Sequence, residues 1–110
     1  MDCIFCKIIN KDINADILFE NDFFIVFSDI KPSAEIHKLI VPKRHIDNLL
    51  SFNDAEVLEY WSSLVDTINI VSDLLKTKDF KIVVNNGNLQ QVKHLHIHFL
   101  SGMNVNDKVN

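Results

Sequence analysis

A seven-residue stretch near the carboxyl end constrains the fold of this chain more than any other feature. Residues 94–100 read His-Leu-His-Ile-His-Phe-Leu. Successive side chains of a β-strand point to opposite faces, so a strand places His94, His96 and His98 on one face and the apolar residues on the other. A helix would distribute the three imidazoles around its circumference. The stretch therefore predicts a strand whose apolar face packs in the core and whose opposite face carries the three histidines. Neighbouring imidazoles on that face would lie about 6–7 Å apart.

The length and charge of the chain limit its organisation. A chain of 110 residues has room for one hydrophobic core, and we expect a single domain over 1–110 with a loose tail over 102–110. In so short a chain, a deep site would need a second subunit. The formal charge of -4 argues against an extended nucleic-acid surface, because such a surface needs clustered Lys and Arg. A small anionic ligand needs only local positive groups.

The sequence also predicts a cytoplasmic location. No apolar run approaches the length of a membrane span, and the start Met1-Asp2-Cys3 lacks the basic-then-apolar pattern of a signal peptide. In the cytoplasm Cys3 and Cys6 should stay reduced. Metal binding or unreactive thiols are therefore favoured over a structural disulfide.

Several segments have the alternation, or the β-branched and aromatic content, of strands. Pro42 ends one of them, because proline cannot donate to a sheet ladder, and the turn cluster at 85–88 separates two others. The predicted strands are the two arms of a hairpin over 17–27, then 37–41, 80–84 and 94–100.

Two helices are expected beside these strands. Asn53 followed by Glu56 resembles a capping box, and the apolar residues after it recur with helical period, which predicts one amphipathic helix to about Lys76. A short helical turn is predicted within residues 2–12. The sequence thus indicates an α+β fold: a mainly antiparallel sheet of about five strands, one long helix and a short N-terminal helix.

The three clustered histidines need a chemical explanation. A single histidine on a half-buried strand is usually structural, and that is the first interpretation for His37 taken alone. Three at alternate positions bring desolvation and mutual repulsion without a packing advantage. Two chemical interpretations follow from the residues. Either alternate histidines hold a catalytic zinc ion, or one imidazole attacks a phosphorus atom and forms a phosphoramidate that water later hydrolyses.

Three further blocks accompany the histidine stretch. They read Cys-Ile-Phe-Cys-Lys-Ile-Ile over 3–9, Phe-Ser-Asp-Ile-Lys-Pro-Ser-Ala over 27–34, and His-Lys-Leu-Ile-Val-Pro-Lys-Arg-His over 37–45. In their order and spacing, and with the alternating histidines, these blocks resemble the histidine triad (HIT) superfamily of nucleotide hydrolases and transferases. The resemblance covers about residues 3–102 and is to the Hint-like branch with an N-terminal Cys-x-x-Cys. It implies a HIT-like fold.

The resemblance implies a role for each polar site residue. His96 matches the nucleophile that attacks the α-phosphorus of a nucleotide. His98 matches the residue that contacts the phosphate and the leaving-group side, and His37 matches a further histidine near the catalytic one. Asp29 falls where the family binds the ribose hydroxyls, which suits a carboxylate accepting two hydrogen bonds.

The base pocket and the phosphate loop are matched less completely. Asn85 matches a phosphate-side residue, but the loop over 85–91 is shorter than usual and lacks its paired glycines. Gln91 stands where the family normally has Ser or Thr. Ordinary core is the competing interpretation for the matched apolar residues, and for Ile8 and Ile30 both interpretations stay open. The residues that match the apolar base pocket are Phe5, Ile8, Phe27 and Ile30.

The cysteine pair also has more than one interpretation. A redox motif would need a helix N-terminus after a strand, whereas this pair opens the chain. With His45 and His94 the pair would complete a closed Cys2His2 zinc site, which is structural rather than catalytic, and Cys-containing members of the family resemble this arrangement. Two buried thiols without metal remain the alternative.

Taken with the resemblance, the sequence predicts a nucleotide hydrolase or nucleotidyltransferase without an organic cofactor. It would cleave nucleoside 5′-phosphoramidates or adenylates through a covalent nucleotidyl-histidine, with a purine nucleotide such as AMP as ligand. The alternatives are a Fhit-type dinucleoside polyphosphate hydrolase and a nucleotide-binding scaffold with vestigial catalysis. The family usually forms homodimers by joining two sheets, so we expect a homodimer.

Overall fold

The computed structural model of this chain describes residues 3–104, 106 and 107. Within that part, one five-stranded sheet carries a helix on each face, and every strand pair is antiparallel. The strand order is β1-β2-β3-β5-β4. This confirms the predicted α+β fold. The elements are α1 (Ile4–Ile9), β1 (Ile17–Glu20), β2 (Phe24–Ser28), β3 (Ile36–Pro42), α2 (Val57–Leu75), β4 (Phe80–Val83) and β5 (Ile97–Ser101), with 3-10 turns at Leu49–Ser51 and Gly87–Leu89.

The first two strands form the predicted hairpin. Asn21 makes its turn, since its side-chain oxygen accepts from the backbone amides of Phe23 and Phe24 at 3.0 and 2.8 Å. The Asn21 amide group also donates to the hydroxyl of Thr67 in α2, 3.0 Å away. One asparagine therefore sets the turn and attaches the hairpin to the long helix.

The long helix begins and ends close to its predicted limits. Asn53 and Glu56 form the expected reciprocal capping box, with side-chain to amide distances of 3.0 and 3.2 Å. The helix ends where Lys76 takes up a left-handed conformation, with φ at +54°, and the amide of Thr77 donates to the carbonyl of Ser72. No helix in the described part of the chain is both long and apolar enough to cross a lipid bilayer.

Alternation along the strands divides the core in two. Val26, Ile40 and Phe99 lie in the cluster between the sheet and α2. Ile25 and Leu39, one residue away on the same strands, lie in the cluster between the sheet and α1. The three central strands, β2, β3 and β5, are thus buried on both faces, and truncation of such an apolar side chain to alanine typically costs about 2–5 kcal/mol.

The predicted strand over 94–100 was wrong at its start, because β5 begins only at Ile97. Before that point the chain bonds to the end of β3 and to the loop after it, instead of continuing the ladder. The ring Nε2 of His94 contacts the carbonyl oxygen of Pro42 at 2.8 Å, and the Leu95 amide donates to the carbonyl of Ile46 at 2.7 Å. The alternation of faces nevertheless continues, since Leu95 packs in the α2 cluster with Ile97.

The predicted tail lies partly outside the described residues, at 105 and 108–110. Within the described part, the Lys81 ammonium group donates to the carbonyl of Asp107 at 2.9 Å. Its looseness stays a prediction.

Candidate functional site

His96 lies just before β5 on the α1 side of the sheet. It is buried, and its Nδ1 is 2.8 Å from the carbonyl oxygen of His94. Because a carbonyl only accepts, neutral His96 donates from Nδ1 and keeps its lone pair on Nε2. The ring of Phe5 packs edge-on against it at a centroid distance of 5.1 Å, and the His98 ring is 5.0 Å away. The imidazoles are therefore closer than strand spacing alone predicts.

His37 and His98 form a buried pair across β3 and β5. Nε2 of His37 is 2.8 Å from Nδ1 of His98, and the backbone amide of Ser33 donates to Nδ1 of His37 at 2.9 Å. Burial, together with the neighbouring His96 and His37, lowers the pKa of His98 to about 4. Burial also lowers the pKa of His37, against the opposing effect of Asp29. Both rings are therefore neutral near pH 7.

One ring nitrogen of this pair is left without a hydrogen bond in the described part of the chain. Nε2 of His98 is buried and makes no hydrogen bond to any residue between 3 and 107 that the structure describes. A buried polar nitrogen left in this state costs about 1–3 kcal/mol, and such groups concentrate at functional sites. A ligand that supplies a hydrogen-bonding atom would remove this cost.

Asp29 extends the histidine pair toward the loop after β2. Its Oδ2 lies 3.4 Å from Nε2 of His37, and its Oδ1 accepts from the Lys31 amide at 2.9 Å. The backbone amide of Asp29 donates to the carbonyl of His37 at 3.1 Å. The structure thus brings Asp29 and His37 together with His98, which is 61 positions from His37 in sequence.

The apolar residues of the expected base pocket are divided by the structure. Phe5, Ile8 and Phe27 are buried in the α1 cluster, and the rings of Phe5 and Phe27 meet edge-on at 5.5 Å. Ile30 is 89% exposed and lies outside that cluster. Core packing is therefore excluded for Ile30, whereas burial of Ile8 fits both interpretations. A role in base binding stays a prediction for all four residues.

The loop over 85–91 depends on a residue that the sequence did not single out. Gln90 is buried, its Oε1 accepts from the Gly87 amide at 2.9 Å, and its Nε2 donates to the carbonyl of Asp47 at 2.8 Å. Gln91 is exposed and Asn85 is half-buried. Adjacent glutamines in a turn-rich segment look equivalent in sequence, and only the tertiary contacts distinguish them.

A second cluster joins α1 to the start of the histidine stretch. Nδ1 of His94 is 3.3 Å from the sulfur of Cys3 and 3.6 Å from that of Cys6, and Nδ1 of His45 is 3.2 Å from the Cys6 sulfur. All four ligand atoms lie within 4.8 Å of one another. Tetrahedral zinc would place its sulfur and nitrogen ligands about 3.6 Å apart. These four residues are thus close enough to hold a metal ion.

The outer atoms of both histidines support metal binding. Nε2 of His94 contacts the carbonyl oxygen of Pro42, and Nε2 of His45 contacts a carboxylate oxygen of Asp47, each at 2.8 Å. Acceptors there keep the protons on Nε2 and leave the Nδ1 lone pairs facing the sulfurs, as in histidine metal sites generally. Burial and the adjacent Cys3 raise the pKa of the Cys6 thiol to about 11. A bound cation would offset this cost of forming thiolates.

The chain is similar to known proteins over nearly its whole length. A family described as the scavenger mRNA decapping enzyme C-terminal binding family matches residues 2–108. An uncharacterized HIT-like protein of Synechococcus elongatus is 39% identical, over 94% of this chain and 93% of its own length. A histidine triad protein from Clostridium difficile has a TM-score of 0.91 at 36% identity, covering 99% of this chain and 97% of its own. A HIT family hydrolase from Legionella pneumophila has a TM-score of 0.87 at 31% identity, covering 94% and 95%.

Proposed function

Because the chain belongs to the histidine triad superfamily, we propose that it is a nucleotide hydrolase that cleaves nucleoside 5′-phosphoramidates or adenylates at the α-phosphorus. The observation that carries the proposal is the contact between Nδ1 of His96 and the carbonyl of His94, 2.8 Å long. It places the proton of the neutral ring on Nδ1 and the lone pair on Nε2, which is what a nucleophilic histidine requires. The similarity to the HIT family hydrolase from Legionella pneumophila supports the reaction class.

The proposed reaction has two displacements at phosphorus. In the first, Nε2 of His96 forms a bond to the α-phosphorus while the bond to the leaving group breaks. A leaving carboxylate takes the electron pair of that bond, and a leaving amine takes the electron pair and a proton from the solvent. The carbonyl of His94 stabilises the positive charge that the ring gains, since it accepts a hydrogen bond from Nδ1. In the second, water attacks the same phosphorus, the bond to Nε2 breaks, and the nucleoside monophosphate leaves.

The other polar residues would bind the nucleotide. Nε2 of His98, buried and without a partner among the described residues, suits a contact to a phosphoryl or leaving-group oxygen. Asp29 would accept from the ribose hydroxyls, while Asn85 and Gln91 would contact the phosphate side. Phe5, Ile8, Phe27 and Ile30 would contact a purine base, as in AMP.

The proposal includes a structural zinc ion. Cys3, Cys6, His45 and His94 supply four ligands, which fills a tetrahedral shell and leaves no position for a reactive water. Zinc there would cross-link α1 to the histidine stretch. We place this chemistry in the cytoplasm, where both cysteines, free in the structure, would stay reduced.

We also propose a homodimer that joins two sheets through β4. This strand is last in the sheet order, so its outer edge has no strand partner among the described residues. Ile82 on that strand is 39% exposed. Trp61 of α2 lines a small apolar cavity together with Val84, the residue that follows β4. Trp61 also forms an exposed apolar stripe on the same side of α2 with Leu58 and Val65, which follow one another at helical spacing. A second copy would cover the edge and the stripe together.

Rates on two substrates test the reaction. We expect faster turnover of adenosine 5′-phosphoramidate than of a diadenosine polyphosphate, with nucleoside monophosphate as product. Replacing His96 with alanine should reduce kcat by at least about a thousandfold, because the nucleophile is lost. Preference for the diadenosine compound would indicate the Fhit-type reaction. Tight AMP binding without turnover of either compound would indicate a scaffold, and undiminished turnover by His96→Ala would exclude the proposal.

A further inference from the structure

The proton positions of His37 and His98 can be assigned from one backbone contact. The amide of Ser33 donates to Nδ1 of His37 across 2.9 Å. A peptide N–H cannot accept, so Nδ1 must carry the lone pair, and the proton of neutral His37 lies on Nε2.

This assignment also determines the proton position on the neighbouring ring of His98. Nε2 of His37 lies 2.8 Å from Nδ1 of His98 and 3.4 Å from Oδ2 of Asp29. The shorter contact is the hydrogen bond, so His37 donates and Nδ1 of His98 accepts. The proton of neutral His98 must then lie on Nε2, the buried nitrogen that has no partner among the residues described.

We propose that the Ser33 amide, acting through His37, fixes His98 as a neutral imidazole with its proton on Nε2, so that His98 presents a permanent hydrogen-bond donor to an anionic phosphoryl oxygen. Ser33 and His37 are positioning residues in this arrangement. The identity of the oxygen rests on the proposed function, whereas the proton positions do not.

The contacts also determine what this arrangement does not do. It ends at a peptide amide, which keeps its proton near neutral pH, so it cannot pass protons along the chain Ser33, His37, His98. Nε2 of His98 can therefore donate a hydrogen bond, but it cannot receive a new proton through His37. The groups facing His98 are His96 on its own segment, and His37 and Asp29 from β3 and the loop before it. Burial keeps the His98 ring neutral among them.

A metal ion is the other ligand that could join these side chains. Asp29, His37 and His98 each offer a ligand atom within 4.8 Å of the others. Two nitrogens bound to one tetrahedral zinc would lie about 3.3 Å apart, whereas the observed nitrogens are 2.8 Å apart. The Ser33 amide also leaves a proton, rather than a lone pair, on Nε2 of His37. Both observations favour the hydrogen bond.

Nitrogen NMR of the full chain with isotope-labelled histidine tests the proton positions without substrate. Near neutral pH, we expect His37 and His98 each to give an unprotonated Nδ1 and a protonated Nε2. Ser33→Pro removes the amide donor and should give both rings mixed proton positions. Ser33→Ala removes only the hydroxyl and should keep the wild-type spectrum. A proton on Nδ1 of His98 in the wild type, or equal changes in both variants, would overturn the proposal.

Kinetics of two His37 variants test the consequence for turnover. Glutamine keeps a donor near the position of Nε2, whereas leucine, of similar size, has none. We expect His37→Leu to lower kcat on the order of a hundredfold, and His37→Gln to stay within about tenfold of wild type. Equal losses of kcat in the two variants would show that His37 acts only through packing, and would overturn the proposal. If the wild type turns over neither substrate, the proposed function fails while the NMR result still decides the proton positions.

Discussion

The imidazole of His96 donates from Nδ1 to the carbonyl oxygen of His94, 2.8 Å away. The ring of His94 at the same time faces the sulfurs of Cys3 and Cys6. His94 thus connects the candidate metal centre to the candidate nucleophile, one through its side chain and the other through its backbone. Phe5, between the two cysteines on α1, adds a second connection because it packs against both imidazoles.

Metal content and thermal unfolding test the zinc site. We expect one zinc ion per chain, and Cys6→Ser should lose it and lower the unfolding free energy by at least about 2 kcal/mol. His98→Gln, which lies outside the four ligands, is the control and should retain the metal. Loss of turnover on chelation in a protein that stays folded would indicate a catalytic ion instead.

The pH dependence of stability tests the burial of His98. Its pKa falls from 6.5 to about 4 on folding, so between these values the unfolded chain binds a proton that the folded chain does not. Protonation of His98 therefore does not reduce the unfolding free energy above pH 6.5, and it reduces that free energy progressively as the pH falls toward 4. We expect a loss of about 1–3 kcal/mol over that range. Urea unfolding of metal-free protein should show a shallower pH dependence for His98→Gln than for wild type, and parallel curves would contradict this.

Two adjacent glutamines give a matched test of the loop. Gln90→Ala removes contacts to Gly87 and Asp47 and should cost about 1–3 kcal/mol of unfolding free energy. Gln91→Ala changes an exposed side chain and should stay within about 0.5 kcal/mol of wild type. Chemical denaturation of both variants measures the difference. Equal effects would show that Gln90 does not hold the loop.

Light scattering after gel filtration tests the homodimer. Ile82→Lys places a charge at the outer edge strand β4 and should give monomers, because the second copy would have to cover that charge. Ile17→Lys makes the same change on β1, at the opposite edge of the sheet, and should leave the dimer intact. A monomeric wild type, or dissociation only by Ile17→Lys, would contradict the proposed interface.

Much of the fold could be predicted because its signals are local. The hairpin turn at Asn21 and the capping box of Asn53 and Glu56 are formed by residues within three positions of one another. The start of β5 could not be predicted, because it depends on carbonyls of Pro42 and Ile46, about fifty residues earlier. Side-chain alternation continues past the end of strand pairing, so periodicity alone overestimates strand length.

The site was predictable in its residue types but not in its hydrogen bonds. The alternating histidines and the family resemblance predicted the members of both clusters as site residues, and the structure brings those members together. The Ser33 amide and the Pro42 carbonyl carry no sequence signal, because every residue has a backbone. Exposure of Ile30 likewise depends on how the loop after β2 leaves the sheet.

Mass spectrometry of the protein quenched during turnover tests the nucleophile most directly. Adenosine 5′-phosphoramidate is mixed with the full chain and quenched with denaturant at alkaline pH, because histidine phosphoramidates hydrolyse in acid. Trypsin then releases a peptide that carries His94, His96 and His98. We expect the added mass of one nucleotidyl group, located by fragmentation on His96 and absent from His96→Ala. Turnover without an adduct, or an adduct on another residue, would contradict nucleophilic attack by His96.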